Sequence, residues 1–135
     1  MSTIRSRKNK GKRLQNYTRD KILETFKEFH PDDVKSAIMG ESGEDIKLSP
    51  AARKTFPYSI ENKCQEKLKI WDAIEQAETN CKENNIPVVV YKKNFSDIYI
   101  SIPFEHFMEL IKIVKNISGE INDNKWIKKN YKTSY

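Results

Sequence analysis

At 135 residues, 37% hydrophobic and 33% charged, the chain has the length of one domain with one core. No apolar run nears the ~18 residues of a membrane span, and no signal-peptide-like stretch lies near the N-terminus. A soluble, cytoplasmic protein with no membrane partner is expected. Cys64 and Cys81 make no disulfide framework, and no His or Cys stands at zinc-finger spacing, so both read as reduced thiols. The net charge of +6 is unevenly placed: Arg5, Arg7, Lys8, Lys10, Lys12, Arg13 and Arg19 precede Asp20 with no acid among them. Such a block is either a solvated, disordered arm or the electrostatic footprint of a nucleic-acid partner.

In chain order, residues 1–10 read as that basic, disordered arm. From Gly11 to about Phe29, Leu14, Tyr17, Ile22, Leu23, Phe26 and Phe29 recur at helical spacing, and His30-Pro31 ends the helix. The segments 34–39 and 44–48, joined by the turn "GESG", read as a hairpin. Pro31-Asp32-Asp33 before it reads as a helix-to-strand turn. Ser49 as N-cap and Pro50 behind it predict a single helical turn. A strand over 57–63 follows, then a helix over 65–83 with Leu68, Trp71, Ile74, Ala77 and Cys81 as its apolar stripe. The run "IPVVVYKKN" (86–94) reads as a strand buried on both faces, 96–103 as another strand, and 104–115 as an amphipathic helix. Residues 116–135 read as a polar tail in which only Trp126 is a candidate to dock. A long helix between the third and fourth strands implies a parallel crossover, flanked by antiparallel neighbours. The expected architecture is thus α/β, with helices around a mixed five-stranded sheet spanning residues 11–115.

The residues that carry chemistry lie in "YSIENKCQE" (58–66). Alternation along a strand puts Glu61 and Lys63 on one face, as a cross-braced ion pair or as half of an active site. Asp45 begins the second strand, and the stretch between leaves room for one strand, one helical turn and a return strand beside it. Asp45 and Glu61 then sit together at one sheet edge with Lys63 next to them. Two carboxylates are hard ligands for Mg²⁺, with Mn²⁺ as substitute, and the Asn62 carbonyl lies between to complete the shell. A lysine beside them orients a water or holds a phosphate oxygen. This is a constellation for metal-assisted phosphodiester hydrolysis. Glu41 and Glu44 read as solvated turn residues, and His106 as structural.

On "KGKRLQ", "SAIMGESGEDIKLS" and "YSIENKCQE", with Trp71 and Gln76 in the helix that follows, the chain resembles the P-D-(D/E)-x-K nucleases of restriction-endonuclease-like fold. Within that superfamily it is most similar to archaeal-type Holliday-junction resolvases and their phage-encoded relatives, which would place it in a host cytoplasm. The resemblance runs from about Lys10 to Lys115. It implies that Asp45 and Glu61 are metal ligands and Lys63 the catalytic lysine. Gln15 stands where the family often has a further glutamate, so the charge for a second metal is missing. Gln65 resembles a polar residue placed near the metal, with Gln76 the weaker candidate. The usual proline before the first acid is absent, since Glu44 precedes Asp45.

Composition, constellation and resemblance together lead to a Mg²⁺-dependent DNA endonuclease preferring branched DNA and acting as a homodimer. Arg5, Arg7, Lys8, Lys10, Lys12 and Arg13 are its expected DNA contacts. Two other classes compete with it. One is a catalytically inactive DNA-binding accessory module of the same fold; the other is an interaction protein in which the charged strand is a plain ion pair.

Overall fold

The computed structural model describes residues 3–118. It divides into a unit ending at Pro103 and a second beginning at Phe104. The first contains α1 (Ile4–Thr25), β1 (Val34–Ser36), β2 (Ile46–Leu48), α2 (Pro50–Thr55), β3 (Tyr58–Cys64), α3 (Ile70–Thr79), β4 (Ile86–Lys92) and β5 (Tyr99–Ser101). The second contains α4 (Phe104–Ser118). Among the described residues, no helix is long and apolar enough to cross a membrane.

Helix α1 begins seven residues before the expected Gly11, so residues 4–10 are helical and not a disordered arm. The Thr3 side chain accepts from Ser6 N at 3.0 Å and satisfies one free amide of the first turn. The Arg and Lys residues behind it are good helix formers. The helix also stops at Thr25 instead of Phe29. Phe26 and Phe29 then stack at 5.1 Å, and Phe26 meets Phe56 edge-on at 5.8 Å, closing this end of the core.

Strands β1 and β2 pair antiparallel, Ser36 opposite Ile46, as the hairpin reading requires. Gly40 and Gly43 adopt φ of +83° and +93°, which an L side chain rarely does, so the turn depends on both. Ser49 caps α2 by accepting from Ala52 N at 3.1 Å, with Pro50 at its first position. Pro31–Asp33 is a single 3-10 turn, in agreement with its reading as a connector. Its Asp33 accepts from Ser49 Oγ at 2.6 Å, a bond that, with the one from His30 N, holds the carboxyl below its usual range.

The crossover through α3 joins β3 to a parallel β4, with Glu61 opposite Val89 and Asn62 opposite Val90; β5 pairs antiparallel with β4. The expected single five-stranded sheet is not formed. The strands make a two-stranded β1–β2 sheet and a three-stranded β3–β4–β5 sheet. Asp45 bridges them: its N donates to Ile60 O at 3.0 Å, and its Oδ2 accepts from Asn62 N at 2.7 Å. A side-chain oxygen thus occupies the place of a ladder carbonyl, and the regular ladder ends there.

The β3–β5 sheet separates two apolar layers. Ile60, Val88 and Val90 face a core shared with Leu14 and Ile22 of α1, Val34, Ile46, Leu48 and Ala52. Val89 faces Ala73 and Ala77 of α3. Strand β4 is therefore buried on both faces, as its unbroken apolar run predicts, and offers no free face to a second subunit. Helix α3 is shorter than the expected 65–83. Leu68 lies before it and Cys81 after it, and Trp71, expected in the buried stripe, is 78% exposed. The amphipathic reading of 104–115 matches α4, which continues to Ser118. Residues 119–135, with Trp126, lie outside the described residues.

Candidate active site

Alternation along β3 sorts its side chains into two lanes. Ile60, Asn62 and Cys64 point toward α1, while Ser59, Glu61 and Lys63 point toward α3. On the α3 side, two amides meet the two charges. Asn80 Nδ2 donates to Glu61 Oε1 at 2.9 Å, and Lys63 Nζ donates to Gln76 Oε1 at 2.7 Å. Gln76 and Asn80 are four residues apart on one helical turn, a rise of about 6 Å. Glu61 and Lys63 are two apart on a strand, a rise of about 6.6 Å. The periods match, so each charge receives its own neutral partner. Among the described residues no ion pair joins Lys63 to Glu61; the lysine's hydrogen bond goes to Gln76.

Asp45 stands at the open edge of β3. Asn62 N turns toward it, and by the alternation of a β-ladder the Asn62 carbonyl lies on the same edge. Glu61 is 2% exposed and lies within hydrogen-bonding reach of the Asp45 carboxyl. Burial pushes the Glu61 carboxyl up to about 7; the Asn80 bond opposes this, the Asp45 charge adds to it, and Lys63 opposes it more weakly. Asp45, Glu61 and the Asn62 carbonyl are all hard oxygen donors. Two carboxylates converge there with no bonded cation between them, an arrangement that fits a hard divalent cation keeping several waters. Among the described residues, no group of three or more His, Cys, Asp or Glu stands where it could hold a metal ion.

The other expected residues divide. Gln65 lines a cleft of about 300 Å³ with Lys63 and Gln76. Gln76, the weaker candidate on sequence, is the one bonded to Lys63. Gln15 is half-buried on α1, one turn before Thr18, and among the described residues no hydrogen bond joins it to Asp45 or Glu61. Arg5, Arg7, Lys8, Lys12 and Arg13 are exposed and Lys10 half-buried along the first half of α1. Arg5 lies about 20 Å along the helix axis from Thr18, whose hydroxyl touches the Asn62 side chain. At 100° per residue, Arg5, Lys8 and Lys12 form one stripe, and the other three point elsewhere.

Several residues escaped the sequence reading. Glu44, read as a solvated turn residue, is 1% exposed. Arg53 grips it with two bonds of 2.6 and 3.0 Å, and Ser59 Oγ adds a third at 2.7 Å. This locks the residue next to Asp45 against β3. Thr18 packs on Asn62 from the α1 side: its hydroxyl lies 2.9 Å from Leu14 O and 2.7 Å from Asn62 Oδ1. One hydroxyl proton serves only one of these acceptors, so either orientation of the Asn62 amide leaves one buried polar atom unpaired. Asn80 had a readable signal, its spacing of four from Gln76.

No protein-family model, curated protein or solved structure matches this chain.

Proposed function

We propose that the protein is a Mg²⁺- or Mn²⁺-dependent endonuclease that hydrolyses phosphodiester bonds in DNA, selective for branched substrates such as four-way junctions. The observation that carries this reading is the convergence of Asp45 and Glu61 at one strand edge, with Lys63 on the same face and the Asn62 carbonyl beside them. The resemblance to P-D-(D/E)-x-K nucleases supports it. So does the element order, in which a helix, a hairpin and a third strand lead through a helix to a parallel fourth.

In this reading Asp45, Glu61 and the Asn62 carbonyl hold the cation. When bound, it supplies a water of lowered pKa and stabilises charge on the phosphoryl oxygens. Lys63 gives one proton to Gln76, and its other two remain for a phosphate oxygen or the attacking water. Glu44 and Arg53 fix the backbone that carries Asp45. The α1 cations contact phosphates away from the cut. Symmetric cutting of a junction requires two sites, hence a homodimer. With β4 enclosed, exposed apolar positions of α4 such as Phe104, Ile113 and Ile117 are the surface for it.

The test compares a four-way junction with a linear duplex of the same arms in Mg²⁺ or Mn²⁺, beside Glu61→Ala and Lys63→Ala proteins. Paired symmetric cuts, reduced at least about 100-fold in both variants, are expected. Equal cutting of the duplex removes the junction preference. Tight binding without cutting of either substrate points instead to the inactive accessory module.

A further inference from the structure

Beside Lys63 the surface opens into the cleft of about 300 Å³, lined by Gln65, Lys67, Leu68, Lys69, Asp72 and Gln76 among others. Its charges are sorted. Lys63, Lys67 and Lys69 face it, against Asp72 alone. Glu66, which falls between them in sequence, is turned away, its carboxylate accepting from Asn94 N at 3.0 Å. Lys63 is bonded to a neutral amide, so its charge is not cancelled. Two residues past Lys69, in the first turn of α3 and outside the cleft's own lining, stands Trp71, 78% exposed. Tryptophan carries 150–250 Å² of largely apolar surface, and leaving most of it in water is unfavourable for folding. The helix does not need it there: Ala73 and Ala77, with Ile70 and Ile74, form its contact with the sheet.

Three lysines in a cleft followed by an exposed indole combine the two features that bind a nucleic-acid strand whose bases have left the stack. The lysines attract the backbone, and an aromatic face accepts any base. We propose that this cleft is a subsite for an unpaired stretch of DNA, with phosphates on Lys67 and Lys69 and a base stacked on Trp71. It deepens the nuclease reading and rests on it only for what lies at Asp45 and Glu61. The strand enters past α3 and leads its next phosphate toward Lys63. A junction, flap or frayed end has such bases, whereas a continuous duplex keeps them stacked.

Binding without metal, so without cleavage, tests it. The chain has two tryptophans, and Trp126→Phe makes the emission that of Trp71 alone. Adding a short oligothymidylate should quench that emission. By anisotropy of a labelled oligonucleotide, Trp71→Ala should weaken single-strand binding about 5- to 100-fold, Trp71→Phe should restore much of it, and a fully paired duplex should lose little. Lys67→Ala with Lys69→Ala should weaken single-strand binding and lower its salt slope by about 1.4. Trp71 is exposed, so its replacement leaves the fold intact. Unquenched emission, or a Trp71→Ala protein that binds single strands as before, overturns the subsite. An equal loss on duplex overturns it too. A protein that shows the quench yet cuts nothing keeps the subsite and overturns the nuclease.

Discussion

Among the described residues two glutamates are almost completely buried, and the protein treats them in opposite ways. Glu44, 1% exposed, is met by the Arg53 guanidinium on both oxygens and by the Ser59 hydroxyl on one. Glu61, 2% exposed and two residues past Ser59 on the same lane of β3, receives one neutral amide and sits against a second carboxylate. Both are costly to bury as charges. The first carries its own counter-ion, as a structural carboxylate must. The second does not, and on the proposed reading that difference is what makes Glu61 a cation ligand and Glu44 a structural carboxylate.

The comparison breaks most visibly at Arg53. Arg53→Ala strands the Glu44 charge and should destabilise the protein by about 3–5 kcal/mol, read as a lower urea midpoint. Removing the charge at the other glutamate should have the opposite tendency. Glu61 titrates near 7 when folded, above the ordinary 4.5, so folding favours its protonated form. Its contribution is fully present below about 4.5 and is lost as pH rises through about 7. Between pH 5 and 8 the protein should lose up to about 3 kcal/mol, and Glu61→Gln should flatten that fall. A wild-type curve with no decline over this range would contradict the uncompensated pair.

A cation is the third way to test the contrast. At pH 8, Mg²⁺ at 100 times its dissociation constant should stabilise the protein by about 2.7 kcal/mol, seen as a rise in melting temperature. The rise should shrink at pH 5, where protons compete for Glu61, and vanish in Asp45→Asn. If Mg²⁺ stabilises Asp45→Asn equally well, the cation binds elsewhere.

How far the sequence disclosed this contrast depends on the kind of signal. Asp45, Glu61 and Lys63 were legible because strand alternation and the length of the intervening chain are local facts. Glu44 was not, because "GESGED" is polar throughout and its burial depends on where α2 brings Arg53. The end of the ladder at Asp45 was illegible too, since nothing in a sequence marks a side-chain oxygen standing in for a carbonyl. Residues 4–10 lack apolar periodicity, and a solvent-exposed helix leaves no other pattern. Trp71 fits a helical stripe by spacing. It took the actual start of α3 at Ile70, and the rotation that puts Ala73 and Ala77 on the sheet, to show it facing water.

The smallest effect sharpens the comparison most, because it removes one hydrogen-bond donor from each glutamate. Ser59→Ala takes a donor from Glu44, and also the acceptor of Lys82 N at 3.0 Å. Asn80→Ala takes from Glu61 the donor at 2.9 Å. Each should cost about 1 kcal/mol at pH 8. At pH 5 they should part. Glu44 keeps both bonds from Arg53, so the Ser59→Ala cost should stay the same. Glu61 is largely protonated there and accepts only as a neutral carboxyl, so the Asn80→Ala cost should fall. Denaturant unfolding of the two variants at the two pH values measures this. Equal costs at both pH values for Asn80→Ala would mean that Glu61 does not change its charge over this range. The distinction between a compensated and an uncompensated carboxylate would then fail at its root.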